Sequence, residues 1–157
     1  MATILSPLPD RDFDTTEVAV PWRLFRDAKH TVVFATEHGS RAPACDPLLL
    51  QGVLFGQLGA DPEPKRFYDQ LTADPAFNAP IAWSAIVPAD YDALVLPGGH
   101  APGMRQYLDG AVLQKKVAEA CRDRARRGRR RSRWRRNRGS APRPAGRTSP
   151  ARRSGRG

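Results

Sequence analysis

The chain has little cysteine, no long apolar run and no segment typical of export. Cys45 and Cys121 are far apart and lack metal-ligand spacing, which argues against a disulfide framework and a zinc site. No window approaches the run of about 18 apolar residues that a membrane helix needs, so we expect no membrane association. Residues 1–14 lack the basic and apolar regions of a signal peptide. These absences leave a reduced, cytoplasmic protein as the expectation.

Charge divides the chain into two parts of opposite sign. Residues 1–121 carry 10 basic and 15 acidic side chains, a net charge of −5. Residues 122–157 carry 16 arginines and one aspartate, a net charge of +15, and contain no Lys, Ile, Leu, Val or Phe. We therefore expect a globular domain over residues 1–121 and a disordered arginine-rich tail over residues 122–157.

The tail has two interpretations. An arginine-rich arm with Trp134 among the arginines favours salt-sensitive, sequence-independent binding of nucleic acid. The alternative is translation of GC-rich coding sequence in a shifted frame, which yields Arg, Gly, Pro, Ala and Ser without lysine. The frameshift is the interpretation that we place first.

The first part of the chain predicts a βαβ unit. Residues 3–8 and 31–36 form apolar, β-branched runs typical of strands. Between them, Asp14 followed by Glu17 indicates a helix start with a capping box, and the helix should end near residue 28. Such a crossover implies a parallel sheet. An acidic loop is expected over residues 10–14.

The middle of the chain is less regular. We interpret residues 45–88 as an insertion packed over the sheet edge, with helices over residues 47–58 and 64–72. Trp83 and Ile86 are its expected buried anchors. A later helix should cover residues 111–121, since its apolar stripe then gives way to arginine.

A central strand that ends at a glycine turn is predicted over residues 93–96. It lies within residues 91–100, which read Tyr-Asp-Ala-Leu-Val-Leu-Pro-Gly-Gly-His. Gly98 and Gly99 would let backbone N–H groups turn outward, a geometry that residues with a Cβ tolerate poorly. In open α/β sheets, ligands bind at this carboxyl edge. The alternative is a simple turn with no role in ligand binding.

These segments together resemble the ThiJ/PfpI family of the class I glutamine amidotransferase-like superfamily. Glu-Val-Ala-Val-Pro-Trp, residues 17–22, with Thr-Val-Val-Phe-Ala-Thr, residues 31–36, is similar to the family's first βαβ unit, and residues 91–100 match its central strand and turn. The resemblance covers roughly residues 2–121 and implies a flavodoxin-like α/β sandwich, here C-terminally incomplete. The insertion is most similar to the larger glyoxalase III and chaperone-type members.

The resemblance also implies site residues. Glu17 matches the carboxylate beside the family's catalytic cysteine, Gly98 and Gly99 match its oxyanion turn, and His100 follows as a residue lining the pocket. The cysteine of the family's Ala-Ile-Cys-His-Gly elbow has no match, and Cys121 lies before the position where it would stand. On spacing alone, Glu17 is also explained as the end of a capping box.

Three functional hypotheses follow. The first is a cysteine-dependent hydrolase or glyoxalase III/deglycase-like protein acting on small reactive carbonyls, inactive in this chain because the elbow is absent. The second is a nucleic-acid-binding protein acting through the arginine tail, and the third is a chaperone-like binding protein. We expect no metal or cofactor, a homo-oligomer in intact relatives, and an open apolar sheet edge that lowers solubility or requires a partner.

Overall fold

The structure is a computed structural model that describes residues 1–52 and 59–138, with side chains through residue 125. By its internal contacts the chain divides into one unit, Met1–Arg124, and a second that begins at Ala125. The strands are β1 (Thr3–Pro7), β2 (Arg11–Phe13), β3 (Thr31–Thr36), β4 (Ala44–Cys45), β5 (Ile81–Ala82) and β6 (Ala93–Leu94). The helices are α1 (Thr15–Asp27), α2 (Pro47–Gln51), α3 (Pro62–Thr72), α4 (Pro75–Asn78), α5 (Met104–Asp109) and α6 (Ala111–Arg138).

The main sheet has four parallel strands in the order β5-β3-β1-β6. A second, two-stranded parallel sheet pairs β2 with β4. Helices cover the main sheet on both faces, as parallel sheets require. On one side Ser6, Val32 and Phe34 border a small cavity with residues of α1, and on the other Leu5 and Leu94 border one with residues of α6. This arrangement confirms the expected α/β, flavodoxin-like architecture.

The predicted β1-α1-β3 crossover is confirmed. The predicted acidic loop over residues 10–14 is wrong, because Arg11–Phe13 forms β2 and pairs with β4. Phe13 is fully buried and packs edge to face with Tyr68 and Phe77, at ring-centroid distances of 6.1 and 6.3 Å. The burial of Phe13 and the pairing with β4 together make this segment a strand.

The insertion builds part of the sheet instead of only covering its edge. Its strand β5 pairs with the end of β3, and α3 packs against α1. Trp83 and Ile86 are each 1% exposed, so both expected anchors are confirmed as buried. Of the expected helix over residues 47–58, α2 (Pro47–Gln51) is observed, and residues 53–58 lie outside the described part of the chain.

The last helix is longer than expected. The sequence predicts that it ends near residue 121, whereas α6 continues to Arg138. Arg124 donates to the carbonyl of Asp92, which gives the helix a polar contact after its apolar stripe has ended. The expected disorder is therefore not observed over residues 122–138, which are helical. For residues 139–157, which lie outside the described part, disorder stays a prediction. Among the described helices, none has the length and apolar character to cross a bilayer.

Helix α1 ends in a Schellman motif with a lysine in the glycine position. The N–H of His30 donates to the carbonyl of Phe25 at 2.9 Å, and that of Lys29 donates to the carbonyl of Arg26 at 3.0 Å. Lys29 has φ 62°, in the left-handed region that favours glycine. The helix end therefore carries a conformational cost that its hydrogen bonds offset.

Replacing Lys29 with glycine is expected to raise the free energy of unfolding by about 0.5 to 1 kcal/mol, because glycine adopts positive φ without the Cβ penalty. The measurement is the urea midpoint of the full chain. Ala28→Gly is the matched control, since Ala28 has φ −77° and gains nothing from glycine. A midpoint for Lys29→Gly at or below that of the unaltered chain would contradict the prediction.

Candidate functional site

The chain order places a crevice between β1 and β6. From the central strand β1 the chain crosses to β3 on one side, and it later returns to β6 on the other. Ligands in open α/β folds bind at such a switch point, outside the carboxyl ends of the strands. At this switch point, helix α1 begins after β1 and β2, and Gly98 follows β6.

Glu17 and Gly98 meet directly at this crevice. The N–H of Gly98 donates to Glu17 Oε2 at 2.5 Å, and the carbonyl of Gly98 accepts from the N–H of Asp14 at 3.0 Å. Both the N–H and the carbonyl of Gly98 are thereby hydrogen-bonded to the start of α1. The two segments, 81 residues apart in sequence, form one polar unit.

The predicted capping box forms only in part. Asp14 Oδ1 accepts from the N–H groups of Thr16 at 2.7 Å and Glu17 at 3.0 Å, which is the expected cap. In a complete box the glutamate would accept from the N–H of Asp14. That N–H donates to Gly98 instead, so the Glu17 carboxylate is directed to the glycine turn and not to the cap.

Neither Gly98 nor Gly99 has a positive φ; Gly99 is required for space, and Gly98 lies close to the Glu17 carboxylate. The only glycines with positive φ in the described ranges are Gly39 and Gly52, which corrects the conformational argument made from sequence. A Cβ on Gly98 would lie 3.0 Å from Glu17 Oε2, and one on Gly99 would lie 2.9 Å from the carbonyl oxygen of Asp12. Backbone and carboxylate therefore approach the turn closely from two sides.

The two turn N–H groups differ in their partners. That of Gly98 is bound to Glu17 Oε2. The N–H of Gly99 makes no hydrogen bond to the described residues. His100 is exposed and likewise forms no hydrogen bond with them. The structure thus brings Glu17 and Gly98 together, whereas His100 only follows them in the chain.

Asp12 is a site residue that the sequence interpretation missed. Its φ of 72° places it in the left-handed region, and its Oδ2 accepts from the N–H of Gly103 at 2.8 Å. Aspartate tolerates this conformation better than most residues, which is the one signal the sequence contains. Asp12 thereby closes the loop that follows the glycine turn.

Gln106 on α5 ties the same loop to the strand ends. Its side-chain amide donates to Asp10 Oδ2 at 2.9 Å and to Glu37 Oε2 at 2.5 Å, and its carbonyl accepts from the N–H of Asp10 at 2.9 Å. One neutral side chain thus separates two carboxylates that follow β1 and β3. The described residues contain no group of His, Cys, Asp and Glu suited to a metal ion.

Neither cysteine is a nucleophile for this crevice. Cys45 is buried in β4, where desolvation raises the pKa of its thiol and leaves it protonated. Its N–H donates to the hydroxyl of Tyr68 at 3.2 Å. Cys121 is exposed on α6, a helix that contacts the sheet through Leu113 and Val117. The crevice therefore has a carboxylate and backbone donors but no thiolate from the described residues.

Known proteins resemble this chain in sequence and in fold. A family model described as "ThiJ/PfpI family-like" matches residues 8–137. An uncharacterized protein of Schizosaccharomyces pombe, C14C4.04, is 31% identical over 114 residues, which cover 71% of this chain and 42% of the yeast protein. This chain therefore spans less than half the length of that relative.

A solved structure has the same fold. It is the Rapid Encystment Protein 24 KDa (REP24) of Francisella tularensis, with a TM-score of 0.52 and 16% identity. The alignment covers 76% of this chain and 54% of the REP24 chain. At this identity the likeness concerns the fold alone.

Proposed function

We propose a function from the premise that this chain belongs to the ThiJ/PfpI family. The proposed site is that of a cysteine-dependent hydrolase or glyoxalase III/deglycase-like protein acting on small reactive carbonyls. This chain supplies the carboxylate and the oxyanion turn, and we propose that the 157 residues by themselves are catalytically inactive. No Ala-Ile-Cys-His-Gly segment occurs among them.

The observation that carries the proposal is the hydrogen bond between Gly98 N–H and Glu17 Oε2. The bond places the Glu17 carboxylate beside a turn whose other donor, the N–H of Gly99, makes no hydrogen bond to the described residues. A carboxylate and such a donor are the groups that a carbonyl needs for proton transfer and polarisation. The second link, from Asp14 N–H to the Gly98 carbonyl, fixes the turn relative to α1. A capping role alone would not direct Glu17 to this turn.

The chemistry explains why these groups are insufficient. In a glyoxalase-type reaction, a thiolate adds to the aldehyde carbon and forms a thiohemiacetal, whose oxygen carries the negative charge. A base then moves the proton from the thiohemiacetal carbon to the adjacent carbonyl carbon, and water hydrolyses the resulting thioester to the hydroxy acid and the free thiol. Backbone N–H groups stabilise the oxyanion and a carboxylate such as Glu17 can transfer protons, but neither replaces the nucleophile.

The experiment has two arms. The full chain is incubated with methylglyoxal, and lactate formation is followed; the expected rate equals that of buffer. The encoding DNA is resequenced through codon 121 and translated in all frames. If a neighbouring frame reads into Ala-Ile-Cys-His-Gly, the protein made from it should turn over methylglyoxal, and Glu17→Gln should reduce that rate by about 10²-fold or more.

Three outcomes would overturn the proposal. Turnover by the 157-residue chain would show that the elbow is not needed. Equal rates for Glu17→Gln and the unaltered elbow-containing protein would remove the carboxylate from the mechanism. An absence of the elbow from every frame would leave the cysteine chemistry without a source. Glu63→Gln, on the exposed start of α3, is the matched control for the carboxylate change.

A further inference from the structure

The end of α6 is an arginine-rich helix with a charge density close to that of nucleic acid. Residues 122–138 contain eleven arginines and one aspartate, and the helix is unbroken to Arg138. At about 1.5 Å per residue these seventeen residues extend about 25 Å, or roughly one arginine per 2.3 Å of axis. Duplex DNA carries one charge per about 1.7 Å of its axis.

A helix of this composition is unfavourable without anions. Like charges three or four residues apart destabilise a helix, and arginines recur at these spacings throughout residues 122–138. Asp123 is the only acidic residue available within the segment to offset them. A polyanion that neutralises the arginines would remove this repulsion and stabilise the helix.

The composition favours nucleic acid over a membrane surface. Helices that lie on membranes carry a broad apolar face opposite their basic face. Residues 122–138 contain only Ala125 and Trp134 as apolar residues, too few for such a face. Every basic residue in the segment is arginine, whose planar guanidinium binds phosphate oxygens in pairs, and a tryptophan can stack on a base.

We propose that residues 122–138 of α6 bind the phosphate backbone of nucleic acids without sequence preference. The inference does not depend on the carbonyl chemistry proposed above, because it uses none of the residues of the crevice. Binding should be governed by release of counterions. If about six arginines contact duplex phosphates, log K should fall with log salt at a slope of about −5, a loss of about 10³-fold between 50 and 200 mM.

The test is fluorescence anisotropy of labelled 20-mer duplex DNA and 20-mer single-stranded RNA, titrated with the full chain at several KCl concentrations. The variant R126Q/R127Q/R130Q/R131Q removes four charges. Its slope on duplex DNA should be less steep by about 3 to 4, and its affinity at 50 mM KCl should fall by 10²-fold or more. The slope on single strands should be shallower, by the ratio of about 0.7 to 0.9.

Two matched variants distinguish an effect of residues 122–138 from an effect of the net charge of the chain. R41Q/R66Q/R105Q/K115Q removes the same number of charges from exposed positions in Met1–Arg124 and should retain the slope of the unaltered chain. Lysine at positions 126, 127, 130 and 131 should also retain the slope, because counterion release depends on charge.

Several results would overturn the proposal. One is an equal loss of affinity in the two four-charge glutamine variants, and another is a slope near zero. Binding to phosphatidylserine vesicles without binding to either nucleic acid would assign the segment to membranes. Salt-sensitive self-association in sedimentation velocity, without nucleic-acid binding, would assign it to the acidic surface of a second copy.

Discussion

Replacing Trp83 with alanine is expected to lower the free energy of unfolding by about 3 to 5 kcal/mol. The indole is 1% exposed and packs edge to face on Tyr107, with ring centroids 6.4 Å apart. Its Nε1 donates to the carbonyl of Ala35 at 3.2 Å. The substitution would leave a cavity, which accounts for most of the cost. It would also remove one of two donors to the carbonyl of Ala35, which still accepts from the N–H of Leu8 at 2.8 Å.

Equilibrium urea unfolding of the full chain measures this loss. The free energy of unfolding of Trp83→Phe should lie between that of the unaltered chain and that of Trp83→Ala. The phenyl ring fills part of the volume but cannot donate to Ala35. The control is Val87→Ala, four residues further on, where the side chain is about half exposed and the expected change is below about 0.5 kcal/mol. Similar midpoints for the Trp83→Ala and Val87→Ala chains would refute the assignment of Trp83 as an anchor.

Replacing Gly39 with alanine is expected to cost about 2 to 5 kcal/mol, the sum of left-handed strain and steric overlap. Gly39 has φ 66°, and a Cβ there would lie 2.5 Å from the backbone nitrogen of Ala82 and 2.7 Å from the carbonyl carbon of Ile81. These are atoms of β5, which no side-chain rotation can move away. The N–H of Gly39 also donates to Thr36 Oγ1 at 3.1 Å, which fixes the turn.

The expected result is that β5 separates from β3. Thermal unfolding followed by circular dichroism should show a lower midpoint, and Trp83, which follows β5 directly, should show a red-shifted fluorescence maximum in the native state. Ser40→Ala, at the exposed neighbouring position, should leave both readouts unchanged. A native Gly39→Ala chain with normal emission and midpoint would mean that the turn relaxes without affecting the sheet.

The sequence predicts elements whose signals are local. The strands that contain Ile4 and Val33 are apolar runs, and the helix between them begins at Asp14, whose side chain does cap it. The structure confirms these elements and gives Lys29, the residue after the helix end, a positive φ.

Features that depend on distant partners could not be predicted in the same way. The N–H of Asp14 has two candidate acceptors, the Glu17 carboxylate and the Gly98 carbonyl, and only the folded chain decides between them. Strand β2 is three residues long and exists because β4 lies beside it. Likewise, no apolar periodicity in the sequence predicts that α6 continues past Cys121.

The position of β6 affects the order in which the molecule assembles. The contact of Ala2 with His30, beside the β1-β3 pairing, joins residues 28 apart, whereas that of Thr3 with Asp92, beside the β1-β6 pairing, joins residues 89 apart. Closing the longer loop costs about 1 kcal/mol more in chain entropy. During synthesis, β1, α1 and β3 can therefore pair before β6 has been made. Glu17 would then lie in a preformed first turn of α1, and the crevice would form only after β6 and Gly98 had been added.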